Sequence, residues 1–214
     1  KIPNYLNTIF AQNGTAKEQI QSAYNRGKKA NDNIQFFFEI GANYFLEIAK
    51  IKAFRILWES KKGKSPFIFA TTTLANKEEE FAYNNILRTT TECMSSIFGG
   101  ANAIMINSYN HTFEMPTAFS ERIARNQQTI LRKESYLDKV NDPTKGAYYI
   151  DYLIDELLKD YEFIIERVKK ENLATKKWLS PEQIDIQKEY KKCLRKEIKH
   201  LISPYWTQRE ILYP

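Results

Sequence analysis

Residues 83–126, YNNILRTTTECMSSIFGGANAIMINSYNHTFEMPTAFSERIARN, read as a helix, a two-glycine break, an apolar strand, a loop and a second helix. Ile86, Leu87, Met94, Ile97 and Phe98 recur at helical spacing on one face, while Asn85, Arg88, Thr89 and Glu92 supply a polar side. Gly99 and Gly100 stop that helix, since glycines adopt left-handed backbone angles without steric cost. Ala101 to Ile106 form a short apolar run closed by Asn107 and Ser108, the pattern of a strand buried on both faces with a polar C-terminal mouth. Together these pieces make one step of a parallel α/β sheet or barrel, in which chemistry gathers at the C-terminal ends of the strands.

Working outward, three more strand units stand near residues 6–12, 34–40 and 65–70, alongside the one at 101–107. The run at 34–40, IQFFFEI, is the most apolar and reads as a central strand. A helix over 15–29 turns Ile20, Ala23 and Tyr24 inward. Another, over about 43–59, turns Tyr44, Ile48, Ile51, Arg55 and Trp58 inward and Glu47, Lys50 and Glu59 toward water. Thr71 to Asn76 form the polar mouth of the third strand. Tyr149, Leu153, Leu157, Tyr161, Ile164 and Val168 carry a last helix to about Lys170. Beyond it, Ser180-Pro181-Glu182-Gln183 is a capped helix start, and residues 203–214 read as an extended arm with exposed aromatics. The chain thus divides into an α/β part, 1–170, and a helical tail with its arm, 171–214.

Composition narrows the class. A chain of 214 residues, 43% hydrophobic and 14% aromatic, holds one sizeable core. No apolar run of about 18 residues suggests a membrane span. The net charge of +6 is spread along helices opposite glutamates, with no nucleic-acid-binding motif, so neither nucleic acid nor membrane is expected as a partner. Cys93 and Cys193 stand far apart, which suits packed thiols in a reducing cytoplasm, and no Cys/His cluster points to a metal.

The ordered pieces Tyr83-Asn84-Asn85, Arg88-Thr89, Glu92, Met94, Gly99-Gly100, Asn107, Pro116-Thr117 and Arg122-Ile123-Ala124-Arg125-Asn126 closely resemble the methylmalonyl-CoA mutase family, the adenosylcobalamin-dependent acyl-CoA mutases. The run Gly41 to Lys50, GANYFLEIAK, and Asp142-Pro143 through Gly146 to Tyr149 resemble two further family segments. The resemblance implies roughly the second half of a (β/α)8 TIM-type barrel, followed by a helical C-terminal extension. It also implies an isomerase chemistry in which cobalamin does the radical work and the protein orients and shields.

Several residues that the family uses are replaced. The resemblance places its catalytic Tyr-His pair near Thr8 and Ile9. It places a substrate-facing Arg, His, Gln and Trp at Phe67, Phe69, Thr71 and Ala75, a Glu at His111, and a His at Met105. Only Asn107 keeps a cofactor-contacting identity, at the position that touches the adenosyl ribose. Neither His111 nor His200 sits in the cobalt-binding Asp-x-His-x-x-Gly run. Some family members pair a catalytic chain with a homologous small subunit that has lost both sites. The expectation is therefore a small-subunit-like chain with no catalytic residue, no metal and no cofactor of its own, whose barrel mouth is plugged by apolar groups. It would stabilise a catalytic subunit that carries adenosylcobalamin, as a heterodimer. The alternatives are part of an active mutase barrel completed by another chain, and a free-standing interaction module.

Overall fold

The computed structural model describes residues 7–11, 14–30 and 34–161. The expected tail 171–214, the helix beyond residue 161 and the extended arm lie outside the described residues. The order of elements is β1 (Asn7–Ala11), α1 (Ala16–Gly27), β2 (Ile34–Ile40), α2 (Tyr44–Lys62), β3 (Phe67–Thr72), α3 (Asn84–Gly99), β4 (Ala103–Met105), α4 (Ala118–Lys133) and α5 (Tyr148–Leu157). The four strands form one parallel sheet in the order β1-β2-β3-β4. Each strand is followed by a helix, the repeat that α/β barrels and open α/β sheets share. The expected four strand units are all present, the third displaced by two residues so that Thr71 and Thr72 belong to β3 itself.

Local chemistry sets the helix ends. Thr15 and Glu18 close a reciprocal capping box on α1, with the Thr15 amide donating to the Glu18 carboxylate at 2.7 Å. Asn43 accepts from the Leu46 amide at the start of α2, and Gly63, at φ +69°, ends it. The two glycines at the end of α3 do different jobs. Gly100 takes the left-handed angle, φ +82°, while Gly99 is still helical and lies against Ile51, where a Cβ would come within 2.9 Å of the Ile51 Cβ.

Strand alternation separates two unlike faces. Phe36, Phe38 and Ile40 point to the helix side and are fully buried. There Phe36 meets Phe54 and Trp58 edge-on, each at 4.6 Å between ring centroids, and Phe38 meets Phe54 at 4.9 Å. Ile9 and Ile68 share this register and this face. The opposite face, which becomes the interior when such a sheet closes into a barrel, stays open among the described residues. Phe10, Phe67 and Met105 are exposed there, and Phe37 and Phe69 half-buried.

Three burial expectations are overturned. β4 is an edge strand of three residues, with Ala103 and Ile104 half-buried and Met105 exposed, so it is not buried on both faces. On α2, Glu47 and Lys50 face the core, not water, whereas Tyr44 and Arg55 are only half-buried. Arg55 instead ties the N-terminal ends of the strands together, donating to the carbonyls of Gly100 (2.6 Å) and Pro66 (3.2 Å) and to Asn102 Oδ1 (3.1 Å). The third correction is α3, whose polar stripe Asn85, Thr89, Glu92 and Ser96 is buried while Leu87 is exposed.

Candidate functional site at the C-terminal rim

The C-terminal ends of the strands carry the polar groups on the open face. Glu39 of β2 lies opposite Thr71 of β3, which lies opposite Met105 of β4. The Thr73 hydroxyl donates to Glu39 Oε1, and the Thr73 amide to the Ile40 carbonyl at 2.9 Å, which carries the pairing one step past β3. The Asn107 side chain donates to the Thr72 carbonyl and to Thr71 Oγ1 (3.3 Å), and its backbone amide donates to Thr72 Oγ1 at 2.9 Å. Glu39, Thr71, Thr73 and Asn107 therefore form a continuous polar rim.

Beneath the rim lies a buried charge cluster. Lys50 is fully buried. Its ammonium donates to Gln19 Oε1 (2.8 Å) and the Glu39 carbonyl (2.6 Å), and pairs with Glu47. Burial lowers the pKa of Lys50 and the nearby Glu47 partly restores it. The loop after β3 brings in Lys77, which donates to both carboxylate oxygens of Glu92, at 2.9 and 3.0 Å. Both side chains are 1% exposed. Asn76 donates to the same carboxylate at 2.7 Å. Burial pushes Lys77 down and Glu92 up, against their mutual attraction. Such a pair holds geometry more than it adds stability.

The inward polar stripe of α3 now has its cause. Asn85 accepts from the Glu78 amide and donates to the Glu78 and Tyr109 carbonyls. Glu92 holds Lys77, and Gln127 of α4 donates to the Ile86 carbonyl and the Thr89 and Thr90 hydroxyls. Asn85, Thr89 and Glu92 each fix a loop or a neighbouring helix, while the Ser96 hydroxyl bonds back to the Glu92 carbonyl of its own helix. The spacing 85, 89, 92, 96 was a signal in its own right: a polar stripe at helical period, hidden by weighting the apolar residues alone.

The residues singled out by resemblance are not all brought together. Phe67, Phe69 and Thr71 lie on the open face. Ile9 does not: it is buried against the helices, so the interior-facing neighbours on β1 are Thr8 and Phe10. On the open face Phe10, Phe37 and Phe69 form one cross-strand row, with ring centroids 5.1 and 5.2 Å apart and the second pair nearly parallel at 11°. His111 is exposed in the loop after β4. A groove of about 710 Å³ lies between α3, α4 and the N-terminal end of β4, and none of Ile9, Phe69 or Asn107 borders it. Cys93 is packed beside Ile106, Ala124 and Leu131, and burial pushes its thiol up to about 12. Among the described residues no three His, Cys, Asp or Glu side chains are grouped to hold a metal ion. No helix among them is long and apolar enough to cross a membrane.

The methylmalonyl-CoA mutase family profile matches residues 14–177. The chain belongs to the methylmalonyl-CoA mutase family. It is 38% identical over 165 residues to methylmalonyl-CoA mutase of Rhizobium meliloti, covering 72% of this chain and 23% of that protein. It is 39% identical over 166 residues to the methylmalonyl-CoA mutase small subunit of Porphyromonas gingivalis, covering 73% and 27%. With the human mitochondrial methylmalonyl-CoA mutase it shares 38% over 134 residues, 58% of this chain and 18% of that one. The chain therefore spans about a quarter of the length of the relatives it matches, and in family terms the parallel sheet is part of a mutase α/β domain.

Proposed function

We propose that this chain is a small-subunit-like, non-catalytic part of a methylmalonyl-CoA mutase assembly, stabilising a homologous catalytic chain that carries the adenosylcobalamin. The observation that carries the proposal is the Phe10–Phe37–Phe69 row on the face that a closed barrel would turn inward. Aromatic rings there fill space and offer no hydrogen bond to a thioester carbonyl. A mutase must polarise that carbonyl while the thioester group migrates, and only groups aimed at the developing charge lower the barrier.

The residues present do not fit a cobalamin. The Asn107 amide is already committed to Thr71 and Thr72, which supports the reading that this family ribose-contact position serves here as a structural tie. Among the described residues the exposed His111 has no carboxylate or carbonyl partner to orient it as a metal ligand. No step is therefore assigned through that group. We place the assembly in the cytoplasm, where a packed thiol such as Cys93 stays reduced.

A second reading, that the chain completes a catalytically active barrel, draws on the polar rim Glu39–Thr73–Thr71–Asn107. Reconstitution with a catalytic mutase chain separates the two. The first reading expects Asn107→Ala and His111→Ala to leave turnover within about twofold, since a transition-state contact would cost at least 10²-fold. A loss of that size contradicts it.

A further inference from the structure

Two phenols stand together beside the C-terminal rim. Tyr83 occupies the N-cap of α3 and Tyr109 lies in the loop after β4, with ring centroids 5.3 Å apart and planes tilted by 41°. Tyr83 is 67% exposed and Tyr109 half-buried. Partial burial, and then the neighbouring Tyr83 hydroxyl, raise the Tyr109 phenol above its ordinary value. The hydroxyl-bearing ends of the two rings are thus neighbours.

A buried side chain sets this spacing. Asn85, fully buried two residues after Tyr83, donates to the Tyr109 carbonyl at 2.9 Å. The same amide group holds the chain ahead of Tyr83, accepting from the Glu78 amide at 3.1 Å and donating to its carbonyl at 2.8 Å. Asn85 therefore fixes both backbones that carry the rings, and the pair keeps its geometry while Tyr83 stays open to solvent. Tyr24 and Tyr161 make a second ring pair, but edge-on at 76° with centroids 5.8 Å apart, and both are half-buried.

We propose that Tyr83 and Tyr109 are an oxidative cross-linking site, closed to a dityrosine by a one-electron oxidant of the haem-peroxidase class acting with hydrogen peroxide. Each phenol loses one electron and its hydroxyl proton, giving a phenoxyl radical whose spin spreads to the ring carbons beside the oxygen. A carbon–carbon bond forms between one such carbon on each ring. The hydrogens on those two carbons move as protons to the phenolic oxygens, and both rings become aromatic again. The net loss is two electrons and two protons, which reduce one hydrogen peroxide to two waters. The exposed Tyr83 gives the oxidant access, and fixed proximity makes the coupling intramolecular. The new bond clips the loop after β4, and with it Asn107 and His111, to the start of α3. The site is independent of the non-catalytic role proposed above.

The test treats the full chain, held dilute, with a haem peroxidase and limiting hydrogen peroxide. Dityrosine fluorescence gives the yield, and mass spectrometry of tryptic peptides gives the positions. Cleavage after Lys77, Arg88 and Arg122 leaves Tyr83 and Tyr109 as the one tyrosine in each of two separate peptides, so their joining is unambiguous. The expected product is those two peptides joined and lighter by two hydrogens, in a yield independent of protein concentration. Tyr83→Phe should abolish it and Tyr24→Phe should leave it unchanged, with circular dichroism checking that each variant folds. Unfolding the chain in urea should lower the yield at least about tenfold, since the rings lose their fixed proximity. No joining of these two peptides in the folded chain overturns the proposal. So does a yield that is equal in urea, a product that forms between chains, or fluorescence undiminished by Tyr83→Phe.

Discussion

Replacing Glu92 by Gln removes one partner of the most deeply buried ion pair described here and leaves the Lys77 ammonium without its carboxylate, with only the opposing influences of Glu39 and Arg88 around it. Both side chains are 1% exposed, so solvent screening gives little relief. Breaking a buried pair from one side costs about 3–5 kcal/mol. Lys77 can instead give up its proton, which sets a ceiling. Holding it neutral at pH 7 against its ordinary value of 10.5 costs about 5 kcal/mol, at 1.36 kcal/mol per pH unit. The two figures agree, so the variant should lose about 3–5 kcal/mol at pH 7. The pH dependence follows in sign. In the variant the folded-state pKa of Lys77 lies below its unfolded value, so the unfolded chain binds the extra proton. Stability then rises with pH between those two values, by up to about 1.4 kcal/mol per unit. Urea unfolding followed by circular dichroism at pH 7 and pH 9 reads both effects. The double variant Lys77→Met with Glu92→Leu should recover most of the loss, since an apolar pair replaces an ionic one. A loss under about 1 kcal/mol, or the same loss at both pH values, would refute the buried-pair account.

Phe54→Ala, in the helix-side core, should cost about 3–5 kcal/mol by urea unfolding. Phe37→Ser, on the open face of the same sheet, should cost the isolated chain less than half of that; equal costs would mean the open face is covered. Gly99→Ala should cost about 1–3 kcal/mol from overpacking against Ile51. Gly100→Ala should cost about 1–2 kcal/mol from its left-handed backbone. Cys93, with its thiol raised to about 12, should resist iodoacetamide at pH 8 until denaturant is added, as read by peptide mass spectrometry.

The strands were legible because apolar runs bounded by glycine and polar residues leave few alternatives. Which face of a strand would be covered was not legible. In IQFFFEI, Phe36 and Phe38 enter the core while Phe37 between them lies on the open face, and a continuous aromatic run carries no alternation to separate them. The polarity of α3 was misjudged for a related reason. Periodicity assigns apolar residues to the core, yet here Asn85 and Glu92 bury because the loop at residues 73–83 and the α4 helix need hydrogen-bond partners. Leu87 is left outside. Of the rim, Asn107 was legible through resemblance, but Glu39 sat unnoticed inside a strand. Its importance comes from Thr73 and Lys50, which only folding brings to it. Ile9 shows the converse: a position found by counting along the chain faces the helices, because a shift of one residue changes the face.

The sharpest test of a hydrocarbon-lined, non-catalytic interior is a calorimetric titration of the purified chain with methylmalonyl-CoA, repeated with adenosylcobalamin. The account expects no saturable heat with either ligand at concentrations up to about 1 mM, the regime of roughly −4 kcal/mol. A saturable 1:1 isotherm with either ligand that is abolished by Asn107→Ala or weakened by changes at Phe37 or Phe69 would contradict it.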